Sequence, residues 1–109
     1  MQRRAELHRE AMRVIDARLG DADLSLERVA REIATSSRQL QRAMAEAGGT
    51  SFRRELRRAR MERAGDLLRE GSYSVKEVAG AVGYRQAGQF AKAYRRHHGA
   101  LPSSTRADV

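Results

Sequence analysis

Ser25-Leu26-Glu27-Arg28-Val29-Ala30 returns as Ser74-Val75-Lys76-Glu77-Val78-Ala79, displaced by 49 positions (25 to 74). Ile33 then matches Val82 at the same displacement. At a displacement of 50, Leu40 matches Phe90, Arg42 matches Lys92, Met44 matches Tyr94 and Gly49 matches Gly99. Self-similarity at such a period marks a repeated supersecondary unit. The offset grows by one between the paired segments, so the second connecting turn is one residue longer. Each unit reads as a short helix, a tight turn and a longer helix. That is a helix-turn-helix, whose second helix is the one that enters a DNA major groove. The competing reading is a helical hairpin repeat with no role on nucleic acid.

The residues around the repeat are punctuated for helices throughout. Leu7, Ala11, Val14, Ile15 and Leu19 recur at helical spacing, and Gly20 stops them. Ser25 caps a helix predicted over Leu26 to Ile33, with Leu24 and Val29 as a hydrophobic staple. Ser36, with Gln39 three residues on, opens a helix to about Ala47. Ser51 precedes a long segment from Phe52 to about Glu70. Ser74 and Glu77 form a capping-box pattern, with Tyr73 and Val78 as its staple, for a helix to about Val82. Another runs from about Gln86 to His98, and Gly99 stops it. Pro102 suits the first turn of a short last helix. No stretch alternates with period two for long enough to make a strand. The expectation is an all-α fold of seven helices. Residues 5–50 form a first helix-turn-helix subdomain, 51–70 a linker helix and 71–107 a second subdomain.

Composition narrows the function. The 109 residues carry 22 Lys and Arg against 14 Asp and Glu, a formal net charge of +8. All the cations are Arg except Lys76 and Lys92. Guanidinium groups give planar, bidentate donors that suit phosphate and guanine, so a polyanion is the leading partner, nucleic acid ahead of a membrane surface. Genome composition is the bland explanation for part of the Arg count. There is no Cys, which removes disulfides and Cys-ligated zinc. No apolar run approaches the length of a membrane span, and no apolar stretch behind Met1–Glu6 makes a secretory signal. The chain reads as soluble and cytoplasmic.

The linker suits DNA. Nineteen helical residues, Phe52 to Glu70, would span roughly 28 Å, against about 34 Å between successive major-groove faces on one side of the duplex. Phe52, Leu56, Ala59 and Leu67 fall on one stripe of this helix. Arg53, Arg54, Arg57 and Arg58 lie on another side, as a solvated face or as phosphate contacts.

From Leu7 to Arg106 the chain resembles the DNA-binding domain of the AraC/XylS family of bacterial transcription regulators. The first unit carries the resemblance in Ser25-Leu26-Glu27-Arg28-Val29-Ala30 and Leu40-Gln41-Arg42, and the connector in Leu56, Arg60, Ala64, Leu67 and Leu68. The second unit carries it in Val78-Ala79, Val82-Gly83-Tyr84, Phe90, Tyr94, Gly99, Pro102 and Arg106. The resemblance implies seven helices, two helix-turn-helix subdomains on a linker helix, and transcriptional control. Four features depart from the family pattern. Ala34 stands where Gly is frequent, and a positive φ there would cost about 1 kcal/mol. Glu55 and Thr105 stand where Tyr is frequent. Ala87-Gly88 stands early in the second recognition helix, where polar readers are usual.

The candidate DNA-binding residues follow from the helix faces. Away from Leu40 and Met44, the first unit presents Ser37, Arg38, Gln41 and Arg42, and the resemblance places these positions toward the groove. Arg donates bidentately to guanine and Gln pairs with adenine. The second unit presents Arg85, Gln86, Gln89 and Lys92, with the two Gln expected near bases and Arg85 and Lys92 on phosphate. Ser25 and Ser74 are read as caps. His97 and His98 are adjacent and expected not to share a helix face, and His8 is far off in sequence, so no metal site is expected. No catalytic motif, phosphate loop or cofactor signature appears, and no enzyme activity is expected.

The expected function is sequence-specific binding of double-stranded DNA as a bacterial transcriptional regulator and activator. Both recognition helices would enter successive major-groove segments of an asymmetric site, with a monomer sufficing. Two alternatives stand beside it. One is an interaction module, contacting RNA polymerase for example, with DNA binding secondary. The other is the C-terminal part of a larger effector-sensing regulator.

Overall fold

The computed structural model describes residues 2–106. Met1 and the expected end of the second subdomain at residue 107 lie outside the described residues. Seven helices follow in order: α1 (Gln2–Arg18), α2 (Leu26–Glu32), α3 (Ser37–Gly48), α4 (Phe52–Glu70), α5 (Val75–Ala81), α6 (Ala87–His98) and α7 (Pro102–Thr105). No strand occurs among the described residues.

Serine hydroxyls start four of these helices. Ser25 Oγ accepts from the Arg28 amide at 3.2 Å, Ser36 Oγ from Gln39 at 3.1 Å, Ser51 Oγ from Arg54 at 3.2 Å and Ser74 Oγ from Glu77 at 3.0 Å. At α5 the box closes, because the Ser74 amide donates back to Glu77 Oε1 at 2.8 Å. Each bond satisfies an amide that the first helical turn leaves without an intrahelical partner. Gly49 and Gly99 end α3 and α6 in the left-handed conformation.

The chain packs as two units. The first holds residues up to Leu19 together with Asp23–Leu56; the second holds Gly20–Ala22 and the residues from Arg57 onward. The first core is built from Leu7, Ala11 and Ile15 of α1, Leu24 before α2, Val29 and Ala30 of α2, and Leu40, Ala43 and Met44 of α3. Phe52 and Leu56 from the start of α4 complete it. Ile33, the counterpart of the buried Val82, is only half-buried. The second core holds Met61, Ala64, Leu67, Leu68, Val78, Ala79, Val82, Phe90, Tyr94 and Pro102.

The apolar stripe expected on α4 is found in part, with a second one beside it. Phe52, Leu56 and Leu67 are buried but Ala59 only partly, and Met61, Ala64 and Leu68 are buried on a different stripe. The helix serves the first core with its opening turn and the second core with the rest. Glu55 is also buried, at 8% exposure, and its Oε2 accepts from the Thr50 hydroxyl at 2.6 Å. Its place in the first turn of α4 puts the carboxylate at the positive end of the helix dipole.

Aromatic rings run through the second core. Tyr84 meets Phe90 at 5.6 Å, Phe90 meets Tyr94 at 5.8 Å, and Tyr94 stacks on His98 at 4.2 Å between centroids. His98 Nε2 donates to the Met61 carbonyl at 2.8 Å, which ties α6 to α4 within this unit. The His97 and His98 rings come within 4.8 Å of each other.

Candidate nucleic-acid interface

In the first unit α3 divides cleanly into two faces. Leu40, Ala43 and Met44 are completely buried, while Arg38, Gln41 and Arg42 are exposed and Ser37 is half-exposed. Burial of three apolar side chains fixes the rotation of the helix about its axis, and that rotation turns the polar set outward. The two flanks of this outward face differ. Gln41 borders a groove formed with Leu24, Leu26, Phe52 and Leu56 and rimmed by Glu27 and Arg53. Arg42 borders a cleft on the other side, with Gln39 and with Arg3, Arg4 and Leu7 of α1. Arg4 is ion-paired with Glu46 of α3, and Arg18 with Glu32 of α2, so α1 is pinned to the helix-turn-helix near both of its ends.

The second unit presents Arg85, Gln86, Gln89 and Lys92, all exposed. Gln86 is the N-cap of α6 rather than its first turn, with φ −124° and ψ 124°, and its side chain makes no capping bond. Phe90 and Tyr94 are completely buried and set the rotation of α6. Lys92 shares a shallow depression with Ala91, Arg95, Arg96 and Leu101.

The turn before α6 is held by Arg60. Its Nη2 donates to the Asp21 carbonyl at 2.8 Å, and its guanidinium carbon lies 5.8 Å from the centre of the Tyr84 ring. Gly83 leaves room for it, since a Cβ there would fall 2.8 Å from Arg60 Nη2. Burial raises the Tyr84 phenol above its ordinary pKa, against an opposing pull from Arg60 and Arg57. This keeps the ring neutral beneath the cation. Arg60 was legible as part of the connector pattern, but its reach to residue 21 was not, because the contact spans 39 positions.

The sequence profile of a helix-turn-helix domain family matches residues 29–108. The chain belongs to the AraC-type helix-turn-helix family. This is a family of DNA-binding transcription-regulator domains and not an enzyme family. An uncharacterized HTH-type transcriptional regulator of Mycobacterium tuberculosis is 41% identical over 75 residues, covering 69% of this chain and 22% of that protein. The C-terminal domain of AraT, a response regulator from Geobacillus stearothermophilus, superposes with a TM-score of 0.87 at 32% identity, over 92% of this chain and 83% of that one. The DNA-binding domain of the global transcriptional factor AdpA, solved in complex with a target DNA, superposes at 0.81 with 27% identity, over 89% and 86% of the two chains. The chain spans about a fifth to a third of the length of the curated relatives it matches. Among its described residues no helix is long and apolar enough to cross a membrane, and no group of three or more His, Cys, Asp or Glu is placed to hold a metal ion.

Proposed function

We propose that this AraC-type domain binds double-stranded DNA sequence-specifically, with α3 and α6 entering successive major-groove segments of one asymmetric site. The observation that carries the reading is the division of α3. Arg38, Gln41 and Arg42 are exposed on a helix whose other face is fully buried, and Arg38 and Gln41 match the hydrogen-bond edges of guanine and adenine. In the second unit Gln86 and Gln89 are the base readers, with Arg85 and Lys92 on phosphate. Two non-identical readers in one chain suit an asymmetric site and a monomer. The exposed Arg53, Arg54, Arg57 and Arg58 of α4 add to the positive field, so affinity falls steeply with salt. Control of transcription, as activator, is the role this binding serves.

The test is selection of bound duplexes from a random library of about 25 base pairs at about 150 mM salt. Two enriched segments about one helical turn apart are expected. A single segment would confine base reading to α3. No enrichment, with binding that vanishes as salt rises, would reject sequence-specific recognition. Promoter activity left intact by Arg38→Ala and Arg42→Ala would favour a protein contact, such as RNA polymerase, as the primary role.

A further inference from the structure

An α-helix with its side chains is about 10–12 Å across, and the major groove is about 12 Å wide. Both flanks of an inserted helix therefore face sugar-phosphate walls. Around α3 one flank is the groove bordered by Gln41, the start of α2 and the start of α4. The other flank is a cleft of about 480 Å³ lined by Arg3, Arg4, Leu7, Gln39 and Arg42. It combines three guanidinium groups from two helices with one carboxamide. The only acidic group paired there in the described ion pairs is Glu46, on Arg4. Arg3 and Arg42 are exposed. Gln39 uses its Oε1 to accept from the Thr35 hydroxyl at 2.8 Å. Its amide N–H groups are left as donors. The chemistry is that of an oxyanion site, with two forked cations and a neutral donor beside the exposed reading face.

Resting on the reading of α3 as a major-groove helix, we propose that Arg3, Gln39 and Arg42 form a phosphate-binding cleft for one wall of that groove. Helix α1 is then part of the DNA interface, rather than only a brace behind the helix-turn-helix. The Arg4–Glu46 pair holds the first turn of α1 against α3 and so places Arg3.

The experiment titrates the full chain and its Arg3→Ala, Arg3→Lys and Gln39→Ala variants onto the selected duplex and onto a scrambled one across a salt series. Circular dichroism verifies that helix content is unchanged. Arg3→Ala is expected to weaken both duplexes by the same factor. It should also flatten the slope of log affinity against log salt by about 0.9, the loss of one phosphate contact. Arg3→Lys should restore the slope, and Gln39→Ala should weaken both duplexes without changing it. A duplex carrying an uncharged methylphosphonate at the contacted position should bind wild type and Arg3→Ala equally. Wild-type affinity and slope in Arg3→Ala would overturn the proposal, as would a loss confined to one base pair. A wild-type chain that binds no duplex, with Arg38→Ala no different, would overturn the reading of α3 and this cleft with it.

Discussion

Ala34 and Gly83 occupy the same corner of the two repeats, and both have positive φ, +59° and +89°. The hydrogen bonds around them correspond one for one. The Ala34 amide donates to the Arg31 carbonyl at 3.2 Å and Thr35 to Ala30 at 2.9 Å; Gly83 donates to Gly80 at 3.1 Å and Tyr84 to Ala79 at 2.9 Å. The left-handed turn that redirects the chain from the short helix to the longer one is thus kept in both units. Only in the second is it made by the residue that adopts it without strain.

Ala34→Gly is therefore expected to stabilise the first unit. Relief of left-handed strain is worth roughly 1–2 kcal/mol, and the extra freedom of glycine in the unfolded chain returns roughly 0.5–1. A net gain of about 0.5–1 kcal/mol should appear as a higher urea midpoint. Gly83→Ala should do the opposite and by more, because its Cβ adds a 2.8 Å approach to Arg60 Nη2 to the same strain. An unchanged midpoint in Ala34→Gly would mean that the strain is no larger than the roughly 0.5–1 kcal/mol that the freedom of glycine returns.

These two positions also show how far the sequence could be read. Seven helices, their serine caps and the repeat were legible because each is a local pattern: a hydroxyl before an apolar stripe, a glycine after it. The expected strain at Ala34 followed from the family resemblance, in which Gly is frequent at that position. What was not legible depended on contacts distant in sequence. The second buried stripe of α4, with Met61 and Leu68, exists because that helix is shared between two cores, which no single wheel projection reveals. Glu55 is buried as well, accepting from the Thr50 hydroxyl, although nothing in its residue type signals a core position. Among the candidate site residues, the exposure of Arg38, Gln41 and Arg42 followed from helix periodicity, whereas Arg3 comes to line the same cleft as Arg42 only through the packing of α1 on α3.

Tyr94 is completely buried, and its hydroxyl has no hydrogen-bond partner among the described residues. An unsatisfied buried hydroxyl costs about 1–3 kcal/mol of desolvation. Tyr94→Phe keeps the ring against Phe90 and His98 and removes the orphan group. The variant should be as stable as wild type or more so, by about 1 kcal/mol in urea unfolding. A loss of that size would reveal a partner for the hydroxyl.

Glu77 is the acid-sensitive member of the α5 cap. Hydrogen bonds from the Ser74 amide and hydroxyl hold its carboxyl below the ordinary carboxylate range, with a smaller contribution from Arg106. A depressed folded pKa contributes stability that is fully present above the unfolded value, about 4.3, and is lost as pH falls through the folded value. The second unit should therefore loosen on acidification from about pH 4.3 downward. Glu77→Gln should lack this part of the pH dependence, less stable than wild type at neutral pH and converging with it as pH falls through the folded value. Hydrogen exchange of the α5 amides across that window measures it. Identical acid profiles for wild type and Glu77→Gln would remove the cap as the cause.

Arg38 and Arg42 should separate into two kinds of contact. Arg38 lies on the face opposite Leu40 and borders neither flanking cleft, so Arg38→Ala should cost about 1–3 kcal/mol on the selected duplex and relax preference at one position. Arg42 shares its cleft with Arg3, so Arg42→Ala should weaken selected and scrambled duplexes alike. Competition binding against single-base variants of the site distinguishes the two. A base-specific loss in Arg42→Ala would place it beside Arg38 as a reader.

Helix α6 is held less firmly at its start than α3. Ser36 caps α3 through the Gln39 amide, whereas Gln86 offers α6 no side-chain cap. Gly88 follows in the first turn, where glycine costs about 0.5–1 kcal/mol relative to alanine. A Cβ at Gly88 meets nothing within 4 Å, so Gly88→Ala should recover that amount and slow hydrogen exchange at the start of α6. Gln86 and Gln89 flank this glycine, and ordering the turn reduces the conformational freedom they lose on meeting a base. The same change should therefore sharpen selection at the second DNA segment while leaving the first unaltered. Slower exchange with no change at the second segment would mean that α6 docks on the backbone and that α3 alone reads the sequence.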